Sequence, residues 1–473
     1  MPVIIKIDAK HSNIPMLREK TVLLIVVLIG SLSGLAQMQP SYSFQKDDTV
    51  LRKKYLDQSV QKKKLLLASV GKEQAKAYTT IYEQQFEEIE NLWQGSRSVT
   101  APPAHAYLQA IVQKIITANP ALKETDARVV FSRDWWPNAV SMGDGSIAIN
   151  AGLVIHLNNE AELAFIICHE LSHYYLEHTP RSIKKYVANI TSDSYQAELK
   201  RLSRTEYGAN QQLEALAKTT VFNSRRHSRD NEAEADRQAF IFMKKTGYDC
   251  QAIKTCLELM NHVDDSLLYK RPDIQQAFNF AVYPFKKKWV QQESAIFSQL
   301  DESSTVSTKE KDSLKTHPDC TNRIALLADS LKKITTGGKP FLVDENLFNQ
   351  LKKDFFIEIT EQCYKEKNLS RNLYYSLSLL QASENSLWAK YAIARCLNDI
   401  FYYQQEHKIG LMLDAENKAY PIDYNLLLRM LGRLRLSEIA GINYNFCKQH
   451  YAEMKAYPGF DEEVQKVKSR KTE

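Results

Sequence analysis

The chain has 473 residues, 44% of them hydrophobic and 25% charged, so two or three domains are expected and the composition is that of a folded soluble protein. A net charge of +6, with Lys and Arg interspersed among Asp and Glu, excludes the footprint of a nucleic-acid binder or of a protein held on an anionic membrane surface. Seven cysteines are an odd number without a C-x-x-C, which excludes a disulfide scaffold and a zinc knuckle.

The first segment differs from the rest. Arg18 and Lys20 precede the apolar run "TVLLIVVLIG", and small residues follow at Gly34 and Ala36. A basic flank, a short apolar run and a small-x-small site read as a secretory signal, with cleavage after Ala36. The run is short for a membrane span. Residues 1–36 are therefore expected to be a signal peptide, Met16 being an alternative start, and the protein to be exported to the periplasm. The alternative is an N-terminal anchor holding the rest of the chain outside the cytoplasm. Membrane association is expected through this segment alone, and no cysteine stands near Ala36 to carry a lipid.

Residues 37–100 read as an N-terminal helical arm, with apolar positions at three- and four-residue steps in "AKAYTTIYEQQFEEIENLWQ". After "TAPPAH" comes an amphipathic helix, "YLQAIVQKIITA". The texture then becomes strand-like in "ARVVFS" and in "NAVSM" and "SIAIN", which flank an Asp144-Gly145 turn. Asn158 and Asn159 are good helix caps, with Glu162 three residues after Asn159. A helix from about 160 to 178 is expected next. Residues 180–228 are charged and helical, an insertion over or beside the site. "GYDCQAIKTCLELM" is a further helix, and 300–315 is expected to be a mobile loop. Beyond "TTGGKP" at 335–340 the pattern is helical to the end. The expected class is α+β: a mostly helical domain with a small β-sheet at 101–334, then an all-α C-terminal region at 341–473. That region reads as paired helices of the TPR kind or as a plain bundle.

"CHELSHYYLEH", residues 168–178, contains H-E-x-x-H. On a helix, positions four apart share a face, so His169 and His173 can present two imidazoles to one ion. Glu170, one step round, can approach a water on that ion without binding it. The preceding turns are apolar, from Ala161 to Ile167, so the histidines enter a buried region. A catalytic zinc needs a third protein ligand and an open position. A third histidine six residues after the second is absent, since that place is Thr179. His178 comes one residue early and on helical geometry points away. "NEAEAD" offers Glu232 as ligand, with Asp236 one turn later to accept the free ring N–H of a ligand histidine. Other histidines, at 105, 156, 227, 262, 407 and 450, stand in unrelated contexts and read as surface or satisfied core residues.

"AELAFIICHELSH", "SRDNEAEAD", "PNAVSMGDGSIAINAGL" and "THPDCTNRI" together resemble the gluzincin peptidase family of HtpX, BepA and the type I CAAX prenyl protease. The match spans roughly 100 to 330, and the single apolar N-terminal segment fits the exported BepA-like branch. The resemblance implies one Zn2+ held by His169, His173 and Glu232, Glu234 being a variable position. It also implies a zinc metalloendopeptidase in which Glu170 takes the proton of a zinc-bound water and passes it to the leaving amine. Protein or peptide substrates are implied, drawn from exported or envelope proteins. A peptide is expected to lie as an added strand along the "SIAIN" or "NAVSM" edge, at Asn138 and Ala139. His317, Arg323 and Tyr174 are candidates for stabilising the oxyanion. The family further implies that His317, in its Thr-His-Pro turn, caps the zinc at rest or lies near its ligands. Envelope assembly partners are expected at the C-terminal helices. The alternative function is a helical-repeat chaperone or adaptor with a latent peptidase domain, against which the intact Glu170 speaks.

Overall fold

The computed structural model describes residues 46–202, 229–263, 271–291, 320–334, 337–417 and 420–470. They are mostly helical around a small sheet, which is the expected α+β class. The expected signal segment and the 300–315 loop lie outside the described residues. Among the described residues no helix is long and apolar enough to cross a membrane.

The sheet has four strands, β1 (Ser98–Val99), β2 (Arg128–Ser132), β3 (Ala139–Ser141) and β4 (Ser146–Asn150), in the order β1-β2-β4-β3. β2 and β4 run parallel in the middle, and β1 and β3 are antiparallel edges. Between β3 and β4 the chain turns through Gly143 and Gly145, with φ of 86° and 101°. A Cβ at Gly145 would sit 2.3 Å from the Asp126 carbonyl, so only glycine fits there.

Alternation along the central strands gives the sheet two apolar faces. Val130 and Ala148 face a pair of helices, α1 (Thr49–Ala68), which adds Tyr55 and Leu56, and α2 (Ala75–Gln94), which brings Tyr82, Phe86, Ile89 and Trp93 to that side. A buried ion pair, Arg128 to Asp144 at 2.8 Å, joined by the Ser59 hydroxyl, ties α1 to the strands. Val129, Phe131, Ile147 and Ile149 face the opposite side, where α3 (Pro102–Ala118) and α4 (Glu160–Tyr175) contribute Leu108, Ile111, Leu163 and Ile167 to one cluster.

Then follow α5 (His178–Ile190), α6 (residues 229–243), α7 (Ala252–Val263) and α8 (Cys320–Lys332). The C-terminal region is all-α: α9 (Glu345–Lys365), α10 (Leu369–Ala382), α11 (Leu387–Gln405), α12 (Ile422–Arg433), α13 (Leu436–Met454) and α14 (Phe460–Ser469). Its apolar core continues that of the sheet: Phe355 of α9 meets Phe131 of β2 edge-on, with ring centroids 4.9 Å apart. Arg133, just after β2, reaches Glu358 of α9 at 2.6 Å and Asp47 at 2.9 Å. The 337–340 stretch is stitched to the chain before α7, through Asp249 N–H to the Lys339 carbonyl and Lys339 N–H to that of Gly247. All seven cysteines are buried, and none of them is in a disulfide.

The start of α4 is fixed by carboxylates. Asn159 caps it through the Glu162 N–H, as expected, while the Glu162 carboxylate accepts from the Asn158 N–H and the Thr255 hydroxyl. Glu160, fully buried, accepts from the hydroxyls of Tyr107 and Tyr248 and from the backbone N–H groups of Leu342, Val343 and Asp344. One carboxylate thus joins α3, α4, the chain before α7 and the entry to α9. Glu160→Ala strands these donors and is expected to cost about 3 kcal/mol or more. A urea unfolding midpoint equal to that of the wild type would show that water replaces the carboxylate.

Candidate metal centre

Every residue of α4 from Glu160 to Ser172 is buried, so His169 and Glu170 arrive in the interior, with His173 at its margin. Helical spacing stacks the two imidazoles, and their Nε2 atoms lie 3.0 Å apart. α6 brings Glu232 across from them. Its Oε1 is 3.2 Å from His173 Nε2, and its Oε2 is 3.5 Å from His169 Nε2. These three residues form a cluster able to hold a metal ion. A tetrahedral zinc with bonds of about 2.0–2.1 Å keeps its ligand atoms about 3.3 Å apart. The observed separations bracket that value, so the donor set fits the ion in kind and in spacing.

Asp236, one turn beyond Glu232, lies behind the first histidine, its Oδ1 3.0 Å from His169 Nδ1. Arg323 of α8 holds Asp236 with two hydrogen bonds, of 2.6 and 2.7 Å, and its Nη1 is 3.0 Å from Glu232 Oε2. One buried guanidinium therefore answers both carboxylates. Burial alone would raise the Asp236 carboxyl, but Arg323 and then His169 outweigh it and hold it below the ordinary range. Burial likewise works against charge on His169, yet Asp236 and Glu232 push its pKa up to about 10. The donors favour a cation between them, and a metal can take the place of that proton.

His178 does not point away from the site. Glu177 takes a left-handed conformation, φ 54°, which ends α4 and starts α5 in a new direction. The ring that continued helical geometry would send outward is swung back, and His178 Nδ1 lies 2.9 Å from His173 Nδ1. Its Nε2 is 3.1 Å from Glu234 Oε2, and Glu234 also neighbours Arg181. Sequence reasoning missed this pair. The only signal was a histidine five residues after the second motif histidine, and periodicity gave no notice of the break at Glu177.

Of the other candidates, Glu170 is buried beside His169 on α4. Arg323 is engaged by carboxylates behind the donors. The Tyr174 hydroxyl lies against the Gly145 turn, with Asp126, Arg128 and Asp144 as charged neighbours. Asn138 and Ala139 stand at the start of β3, which packs against α4. Of the two strands considered for a peptide, β4 is interior and β3 is the edge. His317 lies outside the described residues.

Residues 102–330 match the family model "Peptidase family M48". A putative beta-barrel assembly-enhancing protease of Vibrio cholerae is 24% identical over 157 residues, 33% of this chain and 32% of that protein. The beta-barrel assembly-enhancing protease of Escherichia coli K12 is 25% identical over 148 residues, 28% of each chain. Metalloprotease YcaL of the same strain is 28% identical over 131 residues, 27% of this chain and 48% of that one. The chain thus spans about a third of the first two relatives and about half of the third.

An ion that binds only the folded chain stabilises it by mass action, by about 2.7 kcal/mol at roughly a hundred times its Kd. Zinc added to metal-free protein is accordingly expected to raise Tm by several degrees, and His169→Ala to remove the shift. Identical melting curves with and without zinc in the wild type would dismiss the metal centre.

Proposed function

From residues 102–330, a peptidase family M48 domain, we propose that the chain is a zinc-dependent metalloendopeptidase with His169, His173 and Glu232 as ligands and Glu170 as general base. The observation that carries this reading is the meeting of three donors from two helices at zinc spacing, with a buried carboxylate next in the chain to the first of them. When bound, zinc supplies a Lewis acid for water and for the scissile carbonyl. Glu170 takes the proton of the attacking water at its carboxylate and delivers it to the leaving amine nitrogen. Asp236 accepts the Nδ1 proton of His169, so that its Nε2 faces the ion.

β3 supports a peptide subsite. Asn138 and Asn150 are hydrogen-bonded partners, as are Met142 and Ser146, and the alternation of an antiparallel ladder makes Val140 and Ala148 the pair between them. The backbone groups of Ala139 and Ser141 then face away from β4, towards the free edge. A substrate strand added there would run beside α4. The apolar segment behind Arg18 and Lys20 supports export, and the names of two relatives support envelope proteins as substrates and assembly partners. The helical C-terminal region is the part of the chain we assign to such partners.

Glu170→Gln is expected to keep zinc while cleavage of a casein-type substrate falls about 10²–10⁴-fold, whereas Glu232→Ala loses the metal. Undiminished cleavage by Glu170→Gln would remove the general base.

Ser141→Pro deletes one outward N–H without touching the β4 ladder, and should raise KM about tenfold with a smaller change in kcat. An unaltered KM would place the substrate elsewhere.

A further inference from the structure

We propose that His178 and Glu234 are positioning residues that lock His173 in the tautomer presenting Nε2 to the metal. The inference deepens the zinc reading above and rests on it.

The chain of atoms leaves one consistent direction for every proton. The Glu234 carboxylate is part-exposed and already accepts from the Arg181 guanidinium at the same Oε2 that faces His178, so it stands as an acceptor towards the ring. His178 Nε2, 3.1 Å from Glu234 Oε2, must therefore carry the hydrogen. A neutral His178 then has its lone pair on Nδ1. That atom lies 2.9 Å from His173 Nδ1, which must be the donor. With its hydrogen on Nδ1, His173 has its lone pair on Nε2, the atom that faces Glu232 and His169 Nε2. The reverse arrangement would set the bare Nε2 of His178 against a carboxylate and put a hydrogen on the donor atom of His173. Electrostatics rejects it.

The geometry is built, not incidental. His178 is almost fully buried, and the left-handed Glu177 is where the chain turns from α4 into α5 and brings this ring back to His173. The two imidazoles thus have supports of different kinds: a carboxylate directly on His169, and a histidine interposed before the carboxylate on His173.

Zinc affinity of the full chain, measured by competition with a chromophoric chelator, tests this. His178→Phe removes the acceptor at similar volume and should weaken zinc about 10- to 100-fold, and Glu234→Ala about 3- to 10-fold. His178→Asn, whose Oδ1 can take the place of Nδ1, should recover most of the affinity, which a purely space-filling role would not predict. Melting curves of the metal-free proteins identify any variant that fails to fold. If His178→Phe fails, Glu234→Ala decides alone, since its side chain reaches solvent. Affinities within twofold of the wild type in the folded variants overturn the inference and leave the zinc reading standing. A wild-type chain that takes up no zinc overturns both.

Discussion

A helix that carries imidazoles and a carboxylate into a protein interior must have each of those groups answered there, because an unpaired buried polar group costs more than most single contacts return. That constraint on α4 organises the rest of the molecule. Asp236 and Glu232 come to the histidines from α6, and two carboxylates so close would repel without a cation. Arg323 supplies it from α8, with two hydrogen bonds to one carboxylate and a contact to the other. Guanidinium suits this task where an ammonium would not, since its flat fork meets two acceptors at once. Three helices far apart in sequence are thus held at one point by charge.

The same constraint acts at the other end of α4. Glu160 is buried among donors from α3, from the chain before α7 and from the start of α9. Its acceptor oxygens replace the hydrogen bonds that these backbone and hydroxyl groups lose on leaving water. The C-terminal helices are joined to the sheet by this carboxylate, by Arg133 and Glu358, and by the Phe131–Phe355 contact. A helix fixed at both ends keeps its histidines in place, as a rigid metal centre requires.

What could be read beforehand follows from the range of the interactions. Spacing within one helix is local, so H-E-x-x-H, Glu232 with Asp236 and the Asn159 cap were all legible. The strands flanking Asp144-Gly145 were legible because a two-residue period and a positive-φ glycine leave marks in sequence. Arg323 was singled out through resemblance, but its pairing with Asp236 and Glu232 was not, because α8 and α6 meet only in the folded chain. Glu160 was not legible, because its partners come from other elements and, unlike Glu162 with the Asn159 cap, it has no local spacing to mark it. His178 was misjudged for a different reason. Extending α4 by its own period assumed that the helix continued, whereas a single left-handed residue redirects everything after it.

The two imidazoles of the cluster are supported in different ways. His169 is backed by a carboxylate that is itself clamped by Arg323, all of it buried, so its ring has little freedom. His173 is backed by the imidazole of His178, whose own partner, Glu234, stands part-exposed beside Arg181. Screening by solvent weakens the second arrangement relative to the first. One imidazole is therefore held by the core and the other through a chain that ends at the protein surface. Any movement of α5 against α6 would act on His173 first, and the asymmetry sets which side of the metal centre answers to its surroundings.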